Sequence, residues 1–343
     1  MDQEYTQRLA NIEAYLERWL NDQVIAEEVF SEAGKKVSGE SLKALFEPVK
    51  DMLSRGGKRW RPLLMTLICE TFGGGDSALP LSPLVEFSHN ASLIHDDIED
   101  DSDERRGKPV VHQIYGIDTA INSGSFLYFL STCCIETCSF ENKGHLYKLW
   151  AEYMRKLHLG QAMDISWHRN ISFIPSIEEY YVMCGLKTGS LAALAAELGA
   201  YSAGVSEQAA RQMGESAEKL GIGFQILDDV KNLMSGIPGK KQGDDVVEGK
   251  KSLPVLLYLN KHPEKRERVF YCFHAAKTEG SAAPEVEELT EILSASGVLA
   301  EAEEKGRALI QEGREIFNAP DCAGFPKTEK GRSLLDGFIG LIS

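Results

Sequence analysis

The 343-residue chain contains no stretch of about 18 uninterrupted apolar residues, so no membrane-crossing helix is expected. Basic residues are in deficit: 37 Lys and Arg face 52 Asp and Glu, a formal net charge of −15. So acidic a surface repels nucleic acid and anionic lipid, and an anionic ligand would need a local basic pocket or metal ions. Cysteine occurs seven times, at Cys69, Cys133, Cys134, Cys138, Cys184, Cys272 and Cys322, with no C-x-x-C pair. That odd count suits neither a disulfide framework nor a zinc site, and it predicts reduced, mostly buried thiols in a cytoplasmic protein. The first twenty residues carry charges throughout and lack the apolar centre of a secretion signal. Alternating strand-like runs are scarce, and there is no fixed-period repeat or low-complexity tract.

What is present is helical periodicity. Ile12, Tyr15, Leu16 and Trp19 form a stripe on a charged first segment, and Leu84, Phe87, Ala91, Ile94 and Ile98 recur every three or four residues. No Gly or Pro interrupts the run between Pro83 and Gly107, which predicts one long helix there. The Ala- and Leu-rich stretch from Lys187 to Tyr201 predicts a buried helix. Breakers mark loops near residues 73–75, 107–109, 170–175, 235–243 and 279–284, and none resembles an inter-domain linker. A single all-α domain over residues 1–343 is expected, ending in charged amphipathic helices from about residue 284.

Two acidic clusters stand out. In Leu93-Ile94-His95-Asp96-Asp97-Ile98-Glu99-Asp100-Asp101, Asp96 and Asp100 lie four apart, one turn along a helical face, with Asp97 offset by about 100°. Stacked like charges repel, and a divalent cation relieves that repulsion; hard carboxylate oxygens suit magnesium. Phe224-Gln225-Ile226-Leu227-Asp228-Asp229-Val230-Lys231-Asn232 repeats the pattern in apolar surroundings, where paired carboxylates are costly without metal or hydrogen bonds. Two such clusters on two helices could face one another across a bundle.

Basic residues accompany them. Gly56-Gly57-Lys58-Arg59-Trp60-Arg61-Pro62 places Lys58 and Arg61 three apart on one face of an incipient helix, after a glycine pair that lets backbone N–H groups approach an anion. Arg105 and Arg106 follow the first acidic cluster, and His89 precedes Asp96 by two turns. Lys187-Thr188-Gly189, Lys240 and Lys250 add further cations. Carboxylates hold a diphosphate only through metal, whereas lysines and arginines hold one directly. Both kinds of site are present, so two diphosphates could be accommodated. A metal-clamped diphosphate is a good leaving group, and an apolar pocket would shield the carbocation it leaves behind.

With GGKRWRP, LIHDDIEDDSDERRGKP, GQAMDISW, KTGSL, FQILDDVKN and GKKQGDDVVEGKKSLP in this order over residues 56–257, the chain resembles the trans-isoprenyl diphosphate synthases, or polyprenyl synthetases, and geranylgeranyl-type members in particular. The resemblance implies an all-α isoprenoid-synthase-type bundle around a central cavity, usually homodimeric. It implies trans condensation of isopentenyl diphosphate with dimethylallyl, geranyl or farnesyl diphosphate, using about three magnesium ions per active site. On this likeness Asp96, Asp100 and Asp228 hold metal, supported by Asp97 and Asp229. Arg105, Lys187, Lys240 and Lys250 contact the allylic diphosphate, and Thr188 and Gln225 line the path of the cation. Lys58, Arg61, His89 and Arg106 form the metal-free isopentenyl diphosphate site. Gln161 and Asp164 are candidates to line the cavity, and His95 flanks the metal motif off its face.

Two positions depart from the family pattern: Asn232 ends the second motif where aspartate is common, and Ser125 follows Gly124 where many relatives carry aspartate. Below Asp96 on its face lie Ser92, Ala91 and Ser88, all small, which predicts a deep floor and a geranylgeranyl or somewhat longer product. Phe126, Tyr128 and Phe129 are candidate floor residues. A class I terpene cyclase, or a non-catalytic subunit of a hetero-oligomeric synthase, is the alternative reading. A cyclase has no use for a metal-free diphosphate site, and a non-catalytic subunit need not keep both aspartate clusters.

Overall fold

The computed structural model describes residues 3–235 and 242–342, with Ala26 described by its backbone alone. The described chain is all-α. Its strands are two short antiparallel hairpins, Glu104–Arg105 with Lys108–Pro109 and Asp321–Cys322 with Phe325–Pro326. No described helix is long and apolar enough to cross a membrane. All seven cysteines are free thiols, and only Cys133 is not fully buried.

The chain divides into two compact units. The first comprises residues 1–151, 194–214 and 319–338. Its core runs along helix Trp60–Thr71, where every residue from Arg61 to Cys69 is buried, and along the inner face of helix Ser82–Glu99. Helix Gln3–Arg18 packs by Tyr5, Ile12 and Leu16, and Tyr5 donates from its hydroxyl to the carbonyl of Leu334 at 2.7 Å. The predicted stripe therefore holds for Ile12, Leu16 and Trp19, whereas Tyr15 is 37% exposed. A helical stripe is about 100° wide, and Tyr15 falls at its edge.

Helix Ser82–Glu99 ends before the expected length. Asp101 takes a left-handed conformation (φ 52°), Ser102 N–H donates to the carbonyl of Asp97 at 3.0 Å, and Asp101 N–H reaches that of Ile98 at 3.4 Å. This is a Schellman stop with aspartate in the usual glycine position. The helix dipole opposes carboxylates at a C-terminus, so the acidic run itself favours stopping here. Asp100 N–H still donates to the carbonyl of Asp96 at 2.9 Å, so the one-turn spacing of these two residues survives.

The second unit comprises residues 152–193, 215–318 and 339–343. Its core gathers Tyr180, Cys184, Ile226, Val230, Phe273 and Leu289, with helices Leu253–Lys261, Arg266–Glu279, Pro284–Ala295 and Val298–Asn318 around them. Helix Ile177–Cys184 starts at a capping box: Ser176 Oγ accepts from Glu179 N–H at 3.1 Å, and the Glu179 carboxylate accepts from Ser176 N–H at 2.7 Å. This helix passes into a single π-helical turn, Gly185–Gly189, before helix Ser190–Ser202. Such turns insert an extra residue and re-aim the side chains around them.

Candidate active site

In the first unit the glycine turn before helix Trp60–Thr71 is built around a buried arginine that the sequence reading did not single out. Arg59, left-handed at φ 47°, donates to Glu13 at 2.7 Å, to Glu86 at 2.8 Å and to the Leu53 carbonyl at 2.9 Å. Glu86 is 2% exposed and also accepts from Asn90 at 2.9 Å. Lys58 lies ahead of the helix rather than on its face, because Arg59 is the cap residue; its side chain is exposed. Arg61 does start the helix. It is buried, stacks at 4.3 Å on the Trp60 ring, and its Nε has no hydrogen-bond partner. Burial lowers its pKa to about 10, so it remains a cation at neutral pH. Arg106 donates to the Gly56 carbonyl and, at 3.2 Å, to Asn90 Oδ1. Burial and the surrounding arginines push His89 well below the usual imidazole range, so it sits among them as a neutral ring. Arg61, Arg106 and His89 thus lie within electrostatic reach of one another, whereas Lys58 is exposed at the turn.

Arg105, the neighbour of Arg106, serves the opposite side of the hairpin. Its Nε and Nη2 meet Asp97 Oδ1 at 2.8 and 2.5 Å, and Nη2 lies 3.6 Å from Asp96. Asp97 is fully buried, whereas Asp96 and Asp100 are partly exposed. In the structure Asp97 is a partner of Arg105, turned inward, rather than an open carboxylate beside Asp96. His95 is also used internally: Nε2 lies 3.3 Å from the Ile121 carbonyl and 3.5 Å from Ser125 Oγ, and the ring stacks on Tyr128. Ser125, one of the two departures, thereby faces His95.

Below the motif the small side chains make specific contacts. The Trp150 indole N–H donates to Ser88 Oγ at 3.0 Å, and Ser88 and Ser131 Oγ lie 3.2 Å apart. Ala91 is buried, and Ser92 Oγ donates to the His89 carbonyl. Trp150 thus lies against Ser88 on this face. Of the candidate floor residues, Phe126 packs between Phe30 and Phe46, Tyr128 meets His95, and Phe129 is 67% exposed, which removes it from any floor in this unit.

In the second unit the π-helical turn carries Lys187 and Thr188. A Cβ on Gly160 would fall 2.3 Å from Lys187 N, so glycine is required for helix Lys143–Arg169 to lie against this turn. Lys187 Nζ donates to Asp164 at 2.5 Å, and His168 Nε2 lies 2.9 Å from the other oxygen. Although burial opposes it, Lys187 and His168 hold Asp164 well below the usual carboxylate range. Thr188 Oγ1 donates to Gln225 Oε1 at 2.7 Å, and Gln225 Nε2 donates to Asp229 at 2.9 Å. Asp229 also accepts from Lys250 and from the Tyr180 hydroxyl, each at 2.7 Å. Lys250 lies 3.3 Å from Asp245 as well; these two carboxylates outweigh burial and keep it protonated. Asp228 is exposed while Asp229 is fully buried, so the second pair divides as the first does.

Asn232, the other departure, is buried, and its Oδ1 accepts from Asp245 N–H at 3.2 Å. It anchors the turn after the motif instead of presenting a ligand outward. Lys240 lies outside the described residues. Asp164, His168, Tyr180 and Asp245 complete the network; of these only Asp164 was singled out from sequence, because a buried partner carries no local signal.

The solvent-accessible carboxylates of Asp96, Asp100 and Asp228 are hard oxygen donors. No group of three or more carboxylate, imidazole or thiol side chains is clustered for metal binding among the described residues. Magnesium characteristically takes one or two carboxylates and completes its shell with phosphate oxygens and water, so Asp96 with Asp100, and Asp228, fit that ion.

The polyprenyl synthetase family model matches residues 42–293. The chain is 32% identical over 314 residues to a geranylfarnesyl diphosphate synthase of Aeropyrum pernix, covering 89% of this chain and 94% of that one. It is 36% identical over 229 residues to a short chain isoprenyl diphosphate synthase of Methanocaldococcus jannaschii, covering 65% and 69%. Among solved structures, a geranylgeranyl pyrophosphate synthetase from Pyrococcus horikoshii superimposes with a TM-score of 0.81 at 26% identity, over 99% of both chains.

Proposed function

Because the chain belongs to the polyprenyl synthetase family, we propose that it condenses isopentenyl diphosphate with an allylic diphosphate, head to tail and in trans geometry, and releases diphosphate. The product is geranylgeranyl diphosphate or somewhat longer, and dimethylallyl, geranyl or farnesyl diphosphate is the primer. One observation carries this reading. Arg105 and Arg106 are adjacent yet diverge, Arg105 to the carboxylate motif and Arg106 to the Gly56 turn beside Arg61. One hairpin therefore separates a metal-type diphosphate position from a metal-free one, and a cyclase has no use for the second.

Asp96, Asp100 and Asp228 would hold magnesium, about three ions by family likeness, which neutralises charge on the leaving diphosphate when bound. Arg105, Lys187, Lys240 and Lys250 contact the allylic diphosphate. Thr188 and Gln225 direct oxygens toward positive charge as the allylic C–O bond breaks. Lys58, Arg61, His89 and Arg106 orient isopentenyl diphosphate so that its alkene forms the new C–C bond. The proton lost in the final elimination passes to the released diphosphate, and an apolar surround keeps water from the cation.

The chain, residues 1–343, acts in this proposal as one catalytic domain and as a homodimer. Ile117, Ile121 and Phe129 are 56, 48 and 67% exposed on one face of helix Ile117–Leu130, an apolar stripe suited to a second copy. Sedimentation of Ile117→Asp beside the parent tests this; unchanged mass would refute it. Free thiols suit a reducing cytoplasm.

The catalytic proposal is tested by incubating purified protein with magnesium, labelled isopentenyl diphosphate and each primer in turn, and reading chain length by chromatography. Elongation that EDTA abolishes is expected. Folded protein that elongates none of the primers would overturn the proposal.

A further inference from the structure

We propose that Tyr180 is a positioning residue for the condensation: it acts through Asp229 to fix the directions of Gln225 and Lys250, and Asp229 serves as an internal clamp rather than as a metal ligand. The proposal rests on the synthase reading above.

Asp229 is wholly buried and accepts from three side chains of distant origin. Oδ1 takes Gln225 Nε2 at 2.9 Å and Lys250 Nζ at 2.7 Å; Oδ2 takes the Tyr180 hydroxyl at 2.7 Å. An ionised carboxylate only accepts, so Gln225 must present its NH2 end to Asp229. Its carbonyl oxygen is thereby left to Thr188, whose hydroxyl donates to it at 2.7 Å. The direction of the Gln225 amide is thus set from behind by Asp229.

Tyr180 holds the far oxygen of the clamp. It is fully buried in helix Ile177–Cys184, and burial beside Asp229 raises its phenol well above the usual range, so it stays a donor. Without this hydroxyl, Oδ2 would be a buried carboxylate oxygen with no donor, which is strongly unfavourable. The carboxylate would then rotate about its Cβ–Cγ bond to share the donors of Gln225 and Lys250 between its two oxygens. Both side chains would shift, because both are held by the carboxylate that Tyr180 holds. Asp228, adjacent on the helix, is exposed and is not one of the groups that Asp229 holds.

The test compares Tyr180→Phe, Asp229→Asn and the double variant with the parent. Steady-state constants for both substrates are read together with calorimetric binding of an unreactive allylic thiolodiphosphate and of magnesium. Tyr180→Phe keeps the ring and its packing. It is expected to weaken the allylic KM and analogue binding about tenfold, the size of one hydrogen bond to a charged group. The isopentenyl diphosphate KM and the magnesium isotherm should not move. In the Asp229→Asn background Tyr180→Phe should cost little more, since both act through one carboxylate. Parental allylic KM and analogue binding in Tyr180→Phe, or fully additive losses in the double variant, would overturn the proposal. So would an Asp229→Asn protein whose only defect is weaker magnesium binding. Parent protein that never elongates would count against the synthase reading instead, while analogue binding would still report on Tyr180.

Discussion

Arg105 sets two guanidinium nitrogens on a single oxygen of Asp97, at 2.8 and 2.5 Å, and so removes the second carboxylate of the first acidic pair from solvent. Lys250 does the same to Asp229 in the second pair. Each pair therefore contains one outward carboxylate and one that is bound by a cation of its own unit. Removing one partner of a buried pair strands the other charge, which costs more than losing an exposed carboxylate.

Asp96→Asn and Asp97→Asn should therefore fail differently. Asp96→Asn is expected to lower elongation roughly 100- to 1,000-fold, with a raised magnesium requirement and unchanged thermal stability. Asp97→Asn is expected to lower the melting temperature while its magnesium half-saturation stays parental. Magnesium titrations of activity and melting curves check this. Equal magnesium shifts in the two variants would contradict the division.

The Nε of buried Arg61 has no hydrogen-bond partner, and in the proposed function it faces the metal-free diphosphate. Arg61→Lys keeps the charge but loses the planar fork. A rise of about ten- to a hundredfold in the isopentenyl diphosphate KM is expected, with the allylic KM unchanged. Steady-state kinetics with each substrate varied in turn decide it, and a parental KM would refute the assignment.

Trp150 closes the face of helix Ser82–Glu99 two turns below Asp96 through its bond to Ser88. Two turns rise about 11 Å. Trp150→Ala should shift the product distribution to longer chains, and Ala91→Phe should shorten it. Chromatography of the products shows this even at reduced turnover. An identical distribution from Trp150→Ala would remove the indole from chain-length control.

Lys251 gives a pH prediction. It is 2% exposed, donates to the Gly249 carbonyl at 2.6 Å and lies over the Phe273 ring, with Lys277 and Asp164 as the charged groups acting on it. Burial lowers its pKa to about 8. Below that pH it is protonated in both folded and unfolded chains, and the penalty for burying its charge is fully present. Between about 8 and the ordinary lysine value near 10.4 the unfolded chain binds the extra proton, so stability rises with pH. Lys251→Met should thus stabilise the protein at pH 7, by on the order of 3 kcal/mol before its lost hydrogen bond is subtracted. The gain should shrink by pH 10. A melting-temperature difference that stays constant from pH 7 to 10 would contradict this.

Much of the fold was legible from local pattern. The apolar stripes predicted the main helices, and the six motifs named the family that the comparisons support. The misreadings have physical causes. The acidic run stops its own helix at Glu99 because Asp101 tolerates a left-handed conformation, an exception to the glycine rule. The Trp150 indole that donates to Ser88 comes from 62 residues away and carried no signal beside the small residues below Asp96. Asn232, a departure from the family pattern, is buried and accepts from the Asp245 N–H, a contact the motif alone does not show.

The sequence by itself determined the helical class, the one-turn stacking of Asp96 and Asp100, and the kinds of groups able to hold diphosphate, because these follow from spacing and residue chemistry. Only the tertiary structure decided which carboxylate of each pair faces outward, which arginine organises the glycine turn, and which hydroxyl steadies Asp229. Burial and hydrogen-bond partnership arise from elements far apart in the chain: Tyr180 lies 49 residues from Asp229, and Arg59 lies 46 from Glu13. No local window of sequence contains both members of either pair.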